Sequence, residues 1–152
     1  MPHQDRLNIA VFIDFDNIEI GVKSTLGENF DVGAILEALK ERGEVVTKIA
    51  YADWTRYSEY KREFHEAAIE LIDIPQRNYS AKNSADIRMV VGALDLCYTN
   101  SHVDTFVIVS GDSDFSPLVS KLRENAKMVV GVGVKSSSAD LFINNCDQFL
   151  YY

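Results

Sequence analysis

Two apolar runs in this chain each end in paired acids. Leu7–Ile13 runs into Asp14-Phe15-Asp16-Asn17, and Phe106–Val109 runs into Ser110-Gly111-Asp112-Ser113-Asp114-Phe115. Such runs suit buried strands. In a parallel α/β sheet both acidic tips would share the carboxyl edge, where these sheets bind ligands. Carboxylates gathered on one edge repel one another unless positive charge lies between them. A divalent cation with oxygen ligands answers that repulsion, and the chemistry expected is metal-dependent work on phosphate.

Gly111 lets the backbone turn sharply before Asp112, which has no capping alternative and is the stronger ligand candidate of its pair. Asp114 is either a ligand or the cap of a helix beginning at Phe115. Asp14 and Asp16 leave the first run together, each with an ordinary turn role as the alternative, and Asn17 adds an amide oxygen. Asp86 is the third contribution. With Asn83 or Ser84 as cap, it falls in the first turn of a helix, where a carboxylate also suits the dipole. It shares an angular face with Val90 and so points inward, where an acid needs a partner. Asp95 lies about half a turn away at 3.6 residues per turn and is expected to face solvent. The histidines, His3, His65 and His102, are scattered. Oxygen-only ligation favours Mg2+ or Mn2+ over Zn2+ and points to phosphodiester hydrolysis, with a carboxylate of the cluster taking the proton of the attacking water.

Further contacts are expected around this cluster. The acid-free loop from Gln76 to Asn83 leads to Asp86; Arg77 and Lys82 suit phosphate and Tyr79 suits stacking on a base, against the alternative of an ordinary polar loop. Ser110 is assigned to the substrate and Ser113 to the surround of the ligands. Lys135 borders the same edge, and Ser136, Ser137 and Ser138 suit helix capping better than phosphate binding.

The elements that must position these residues alternate along the chain. Strands are expected at Leu7–Ile13, Val45–Ala50, Leu71–Ile74, Thr105–Val109 and Met128–Val134, with an edge strand at Phe149–Tyr151. A polar loop containing Gly21 and Gly27 is expected after the first strand. Asp31 precedes Val32, Ile35, Leu36 and Leu39, spaced for a helix that Gly43 would stop. Further helices are expected at Arg56–Glu70, at Ser84–Tyr98 with Ile87, Val90, Val91 and Leu94 on one face, at Phe115–Asn125 and at Ser138–Asn144. This alternation predicts an α/β fold with a mainly parallel sheet covered by helices on both faces, in one domain over residues 1–152.

The chain has 152 residues, 47% hydrophobic and 25% charged, enough for a core without staples. Its apolar runs are too short to span a bilayer, and Met1–Arg6 has no basic start followed by an apolar stretch, so neither a membrane span nor a secretory signal is expected. Cys97 and Cys146 lack metal-ligand spacing and suit reduced, packed thiols in the cytoplasm. A net charge of -8 works against generic nucleic-acid affinity. An RNA substrate would be held locally, or with help from a protein partner. Trp54, Tyr57 and Tyr60, taken as exposed, would permit a homodimer surface.

The chain resembles the NYN-domain proteins, specifically the bacterial LabA-like branch, within the PIN-like nuclease superfamily. The resemblance rests on Phe12-Ile13-Asp14-Phe15-Asp16-Asn17, on Lys82-Asn83-Ser84-Ala85-Asp86 and on Val109-Ser110-Gly111-Asp112-Ser113-Asp114-Phe115. It extends through Gly131-Val132-Gly133, Ser138, Leu141 and Cys146-Asp147, with Gln148 before Phe149. It implies a three-layer α/β/α sandwich and an Mg2+- or Mn2+-dependent ribonuclease, with Asp14, Asp86, Asp112 and Asp114 as ligands. Asn17 would support them, Lys82 would meet the substrate, and Asp16 would stand behind the ligands. A second reading is a non-catalytic RNA-binding or regulatory module that keeps the acidic pocket. A haloacid-dehalogenase-type phosphatase fits poorly, since Asn17-Ile18 follow Asp14-Phe15-Asp16. A receiver-like domain fits poorly too, since paired Asp112 and Asp114 are not expected there.

Overall fold

Near-continuous apolar strands, too buried to alternate with polar residues, are what a sheet covered on both faces requires. The computed structural model describes residues 6–75, 81–135 and 138–152. In chain order it runs β1 (Leu7–Asp14), α1 (Phe15–Leu26), α2 (Val32–Lys40), β2 (Gly43–Ala52), α3 (Ser58–Glu66), β3 (Glu70–Asp73) and α4 (Ala81–Thr99). It continues with β4 (Thr105–Val109), a 3-10 turn (Ser113–Phe115), α5 (Ser116–Glu124), β5 (Met128–Gly133), α6 (Asp140–Asn145) and β6 (Gln148–Tyr151). The six strands form one sheet in the order β3-β2-β1-β4-β5-β6, and every pairing is parallel. The expected edge strand is therefore present as β6. The sheet grows one way from β1 to β3 and the other way from β4 to β6. Between β1 and β4 the order reverses, which opens a crevice at their carboxyl ends.

Side-chain parity divides the core. Ile9, Val11 and Ile13 face the layer that holds Phe15, Ile18, Ile35, Leu39 and Phe64 of α1, α2 and α3. Ala10 and Phe12 face the layer that holds Met89, Ala93, Leu118, Leu122 and Phe142 of α4, α5 and α6. Asp14 has the parity of Ala10 and Phe12, so its side chain leaves the strand on the α4 side. A register shift opposite Ile9 and Ala10 changes the phase of β2, which lets Val45 near its start and Ala50 and Ala52 at its end meet the same layer.

Several expectations are corrected. The segment after β1 is not a polar loop. Phe15, Ile18 and Val22 line one helical face, Gly27 closes α1 at φ 68, and Gly21 is tolerated inside the helix. Asp31 caps α2 as expected, accepting from the Ala34 N–H at 3.3 Å. Gly43, however, opens β2 rather than stopping the helix, since a side chain there would collide with the Leu7 carbonyl. The α3 segment begins only at Ser58, after a turn in which the Arg56 and Tyr57 N–H groups donate to the Asp53 and Trp54 carbonyls. Trp54, Tyr57 and Tyr60 are buried, not exposed, because they pack with Phe30 and Phe64 around Phe15. On α4 the buried line is Ala85, Met89, Ala93 and Cys97, while Ile87 and Val91 face outward. Gly92 lets α4 sit low on β2, since a Cβ there would meet the Tyr51 hydroxyl at 2.5 Å.

Five aromatic rings lie within 5.8 Å of the Phe15 ring, centroid to centroid, and Phe15 itself is fully buried. Phe15→Ala is expected to cost about 3–5 kcal/mol through lost burial and a cavity, measured as a lowered midpoint in urea unfolding.

Candidate metal centre

The acids separate according to the elements that carry them. β1 ends at Asp14, whose side chain is almost completely buried beneath the α4 layer. β4 ends at Val109, the register partner of Ile13 on β1, so the loop from Ser110 to Asp112 begins beside Asp14. α4 crosses above and supplies Asp86 from its second turn. Because the helix already starts at Ala81, Asn83 and Ser84 lie inside it and Asp86 is not in the first turn. One carboxylate oxygen each from Asp14, Asp86 and Asp112 lies within 4.8 Å of the others. These three line a cleft of about 380 Å3 with Asp16, Asn17, Ile20, Arg56 and Ala85.

A hydrogen-bond chain locks the two strand ends together. The Ser110 hydroxyl donates to Asp14 Oδ2 at 3.1 Å and accepts from the Asp112 N–H at 3.2 Å. Asn17 Oδ1, from the first turn of α1, accepts the Gly111 N–H at 2.9 Å. Ser110, assigned to the substrate on sequence grounds, is fully buried and braces the Asp14 carboxylate and the Asp112 backbone. Asn17 likewise braces the loop from the rim of the cleft.

Of the Asp112–Asp114 pair, Asp112 joins the acidic cluster, in line with its being the stronger candidate, but the capping role expected of Asp114 falls to Asp112 as well. Asp112 is the residue that caps the turn, accepting the Asp114 N–H on Oδ1 at 2.9 Å, and it is also the one in the acidic cluster. A carboxylate has lone pairs enough for both roles. Asp114 is exposed and is not among the converging acids. Ser113 lies in the turn itself, its carbonyl accepting the Ser116 N–H. Asp16 lines the cleft beside the three converging acids and is hydrogen-bonded by the Tyr57 hydroxyl. The remaining expectations fall elsewhere. Arg77, Tyr79, Ser136 and Ser137 lie outside the described residues, as does the side chain of Lys82. Lys135 stands over the Tyr151 ring at 5.8 Å. Asp95 is exposed, as expected.

Arg56 is a cleft residue that the sequence pattern assigns to a helix and not to the site. It follows the carboxyl end of β2, next to β1, and it is the cation among the described residues that line the cleft. Its place directly after a strand neighbouring β1 is the signal that could have found it. Its guanidinium lies 5.6 Å from the Tyr57 ring centre.

Burial, the negative charge of Asp86 and lesser repulsion from Asp16 and Asp112 push the Asp14 carboxyl up to about 7, against the lowering effect of the Ser110 hydroxyl. Three carboxylates with no sulfur or imidazole among them fit a hard divalent cation. Such an ion would be held by Asp14, Asp86 and Asp112, and its charge would offset the burial and the repulsion that raise the Asp14 value.

A parallel six-stranded sheet between helices, with acids converging at its switch point, is the architecture of a PIN-like α/β/α fold. The chain belongs to the NYN-domain family, which it matches over residues 8–152, within the PIN-like nuclease superfamily. The uncharacterized protein MJ0482 of Methanocaldococcus jannaschii is 30% identical over 125 residues, which take in 80% of this chain and 48% of that protein. The chain thus spans about half the length of the curated relative it matches. The crystal structure of VPA0982, a protein of unknown function from Vibrio parahaemolyticus, is similar at a TM-score of 0.85 and 25% identity. That match covers 97% of this chain and 93% of the other. Among the described residues no helix is long and apolar enough to cross a membrane.

The raised Asp14 value has a definite sign. In the folded, metal-free protein Asp14 keeps its proton up to about pH 7, whereas the unfolded chain loses it near 3.8. Between those values the unfolded state binds fewer protons, so stability falls as pH rises through this window and levels off above it. The loss is on the order of 4 kcal/mol. Urea unfolding in chelator at pH 5 and pH 8 should show roughly 2.6 kcal/mol of it, the part that falls between those two pH values, and Asp14→Asn should flatten the difference. A divalent cation at pH 8 should restore stability to the unaltered protein, with protons released on binding below pH 7.

Proposed function

We propose that this protein is a metal-dependent ribonuclease that hydrolyses RNA phosphodiester bonds with Mg2+ or Mn2+ at Asp14, Asp86 and Asp112. We place it in the LabA-like branch of its family, with residues 1–152 as one NYN domain. The observation that carries this reading is the convergence of three carboxylate oxygens within 4.8 Å at the switch point of the sheet. A divalent cation supplies an acidified water, an anchor for the scissile phosphate and charge compensation at the leaving oxygen.

The chain's own residues divide the remaining work. Asp14, held by Ser110, is the most deeply seated ligand and sets the depth of the centre. Asp86 and Asp112 are half-buried, so either can accept the proton of an attacking water at the cleft mouth. Arg56, on the rim, pairs with a phosphate oxygen of the bound strand. Lys82, Arg77 and Tyr79 belong to the segment leading into α4, from which they would grip the phosphates and stack a base. Asp114 and Asp16 serve as outer acids of the site.

With a net charge of -8 the protein is suited to holding a short stretch of RNA at the cleft, with a protein partner supplying further affinity. The same charge favours a second reading, a regulatory RNA-binding module that keeps the pocket without turnover. Cys97 and Cys146 are both free thiols, which fits a reducing compartment such as the cytoplasm.

Cleavage of short RNAs in Mn2+ and in chelator separates the readings. The nuclease reading expects chelation to abolish cleavage and Asp112→Asn to lower kcat/KM by about 100-fold or more with the fold intact, since even residues behind metal ligands cost about 10- to 100-fold. Cleavage that survives both treatments would eliminate it, and RNA binding with no cleavage in any divalent metal would favour the regulatory module. Arg56→Ala should raise KM roughly tenfold with a smaller change in kcat, the sign of a contact made equally in ground and transition states.

A further inference from the structure

The outward faces of three helices follow the usual pattern for solvent contact. α2 carries Lys40 with Glu37, α3 Arg62 with Glu66 and α5 Lys121 with Glu124, each an ion pair within 4 Å along one helix. α4 departs from it. Its inner line, Ala85, Met89, Ala93 and Cys97, is buried on the sheet. Its outer line is also apolar: Ile87 and Val91 are each 61% exposed and Tyr98 is 59% exposed, with Leu94 half-buried between them. Single exposed apolar residues are ordinary, and Ile20, Met128 and Leu141 are of that scattered kind. Three exposed in line on one helix, with the half-buried Leu94 completing the row, are not.

Their spacing is informative. Ile87, Val91, Leu94 and Tyr98 recur at intervals of four, three and four residues, the repeat of a seam between two packed helices. The flanking charges say which second helix fits. Arg88 and Asp95 are both exposed and lie seven residues apart, two turns along the same flank of the seam. In an antiparallel pair of identical helices like flanks face each other. Ile87 then meets Tyr98 of the other copy, Val91 meets Leu94, and Arg88 meets Asp95, each contact occurring twice about a two-fold axis. A self-complementary patch of this kind defines an isologous interface.

We propose that the exposed seam of α4 binds the same seam of a second copy of this chain, antiparallel, with reciprocal Arg88–Asp95 pairs. The inference stands apart from the nuclease reading, because none of the seam residues belongs to the acidic centre. A helix of 19 residues is about 28 Å long, so this pair covers less surface than a standard stable interface. The association is therefore weak and depends on concentration. Asp86 precedes the first seam residue, so the two acidic centres would lie on opposite sides of the axis.

Sedimentation of the full chain between about 1 and 200 µM tests the proposal, a range suited to micromolar association. The expected result is a shift from one chain to two with rising concentration. Val91→Glu should hold the protein monomeric throughout with unchanged circular dichroism, and Tyr98→Glu at the far end of the seam should do the same if Val91→Glu misfolds. Arg88→Glu or Asp95→Arg alone should weaken the dimer about fivefold or more, and the two together should restore it. A protein that stays monomeric over the whole range, or a dimer indifferent to the seam variants, overturns the proposal. Failure of the double exchange to restore what each single exchange removes overturns the antiparallel pairing.

Discussion

The repulsion among Asp14, Asp86 and Asp112 is the constraint around which this molecule is arranged. Buried like charges are costly, and a fold that gathers them must spend stability elsewhere to hold them. Here the holding is done by covalent rigidity and by hydrogen bonds. Two adjacent parallel strands deliver Asp14 and the loop bearing Asp112, and Ser110 joins them through one hydroxyl that both donates and accepts. Without a cation, Asp14 takes up a proton readily and the repulsion is relieved at the deepest position.

The two faces of the sheet contribute differently to that arrangement. On one face, five aromatic rings enclose Phe15 at the start of α1 and fix the direction in which the chain leaves β1. Phe15 goes into that cluster while Asp14, one residue earlier, goes to the opposite face. On the other face α4 sits low over β2 at Gly92, and this close seat brings Asp86 down to the strand ends. The cleft that results is rich in acid and has Arg56 on its rim, so its affinity for a polyanion depends on what neutralises the acids.

Much of this is legible in the order of the residues. Apolar runs of strand length mark five of the six strands, and an apolar stretch at the end marks the sixth. Paired acids at two of their ends locate the centre, since a parallel sheet puts all carboxyl ends on one edge. α1 is hidden because its first residues are the acids and the amide that suggest a turn, and because Gly21 suggests a loop. The spacing of Phe15, Ile18 and Val22 is the better signal. Trp54, Tyr57 and Tyr60 read as surface residues because a short polar stretch surrounds them, and only the position of Phe15 on the neighbouring element draws them inward.

Local pattern alone thus determined which segments are strands, that the strands run parallel, and which acids are able to meet. It did so because period, burial and strand polarity are properties of contiguous residues. The tertiary structure decided which of them do meet. Asp112 and not Asp114 turns into the cleft, Ser110 is buried where it joins Asp14 to the Asp112 backbone, Arg56 joins from a neighbouring strand end, and α4 turns Ile87 and Val91 outward. Each of these depends on distances between elements far apart in the chain, set by how low a helix can sit and which of its faces the sheet claims. No local spacing encodes them.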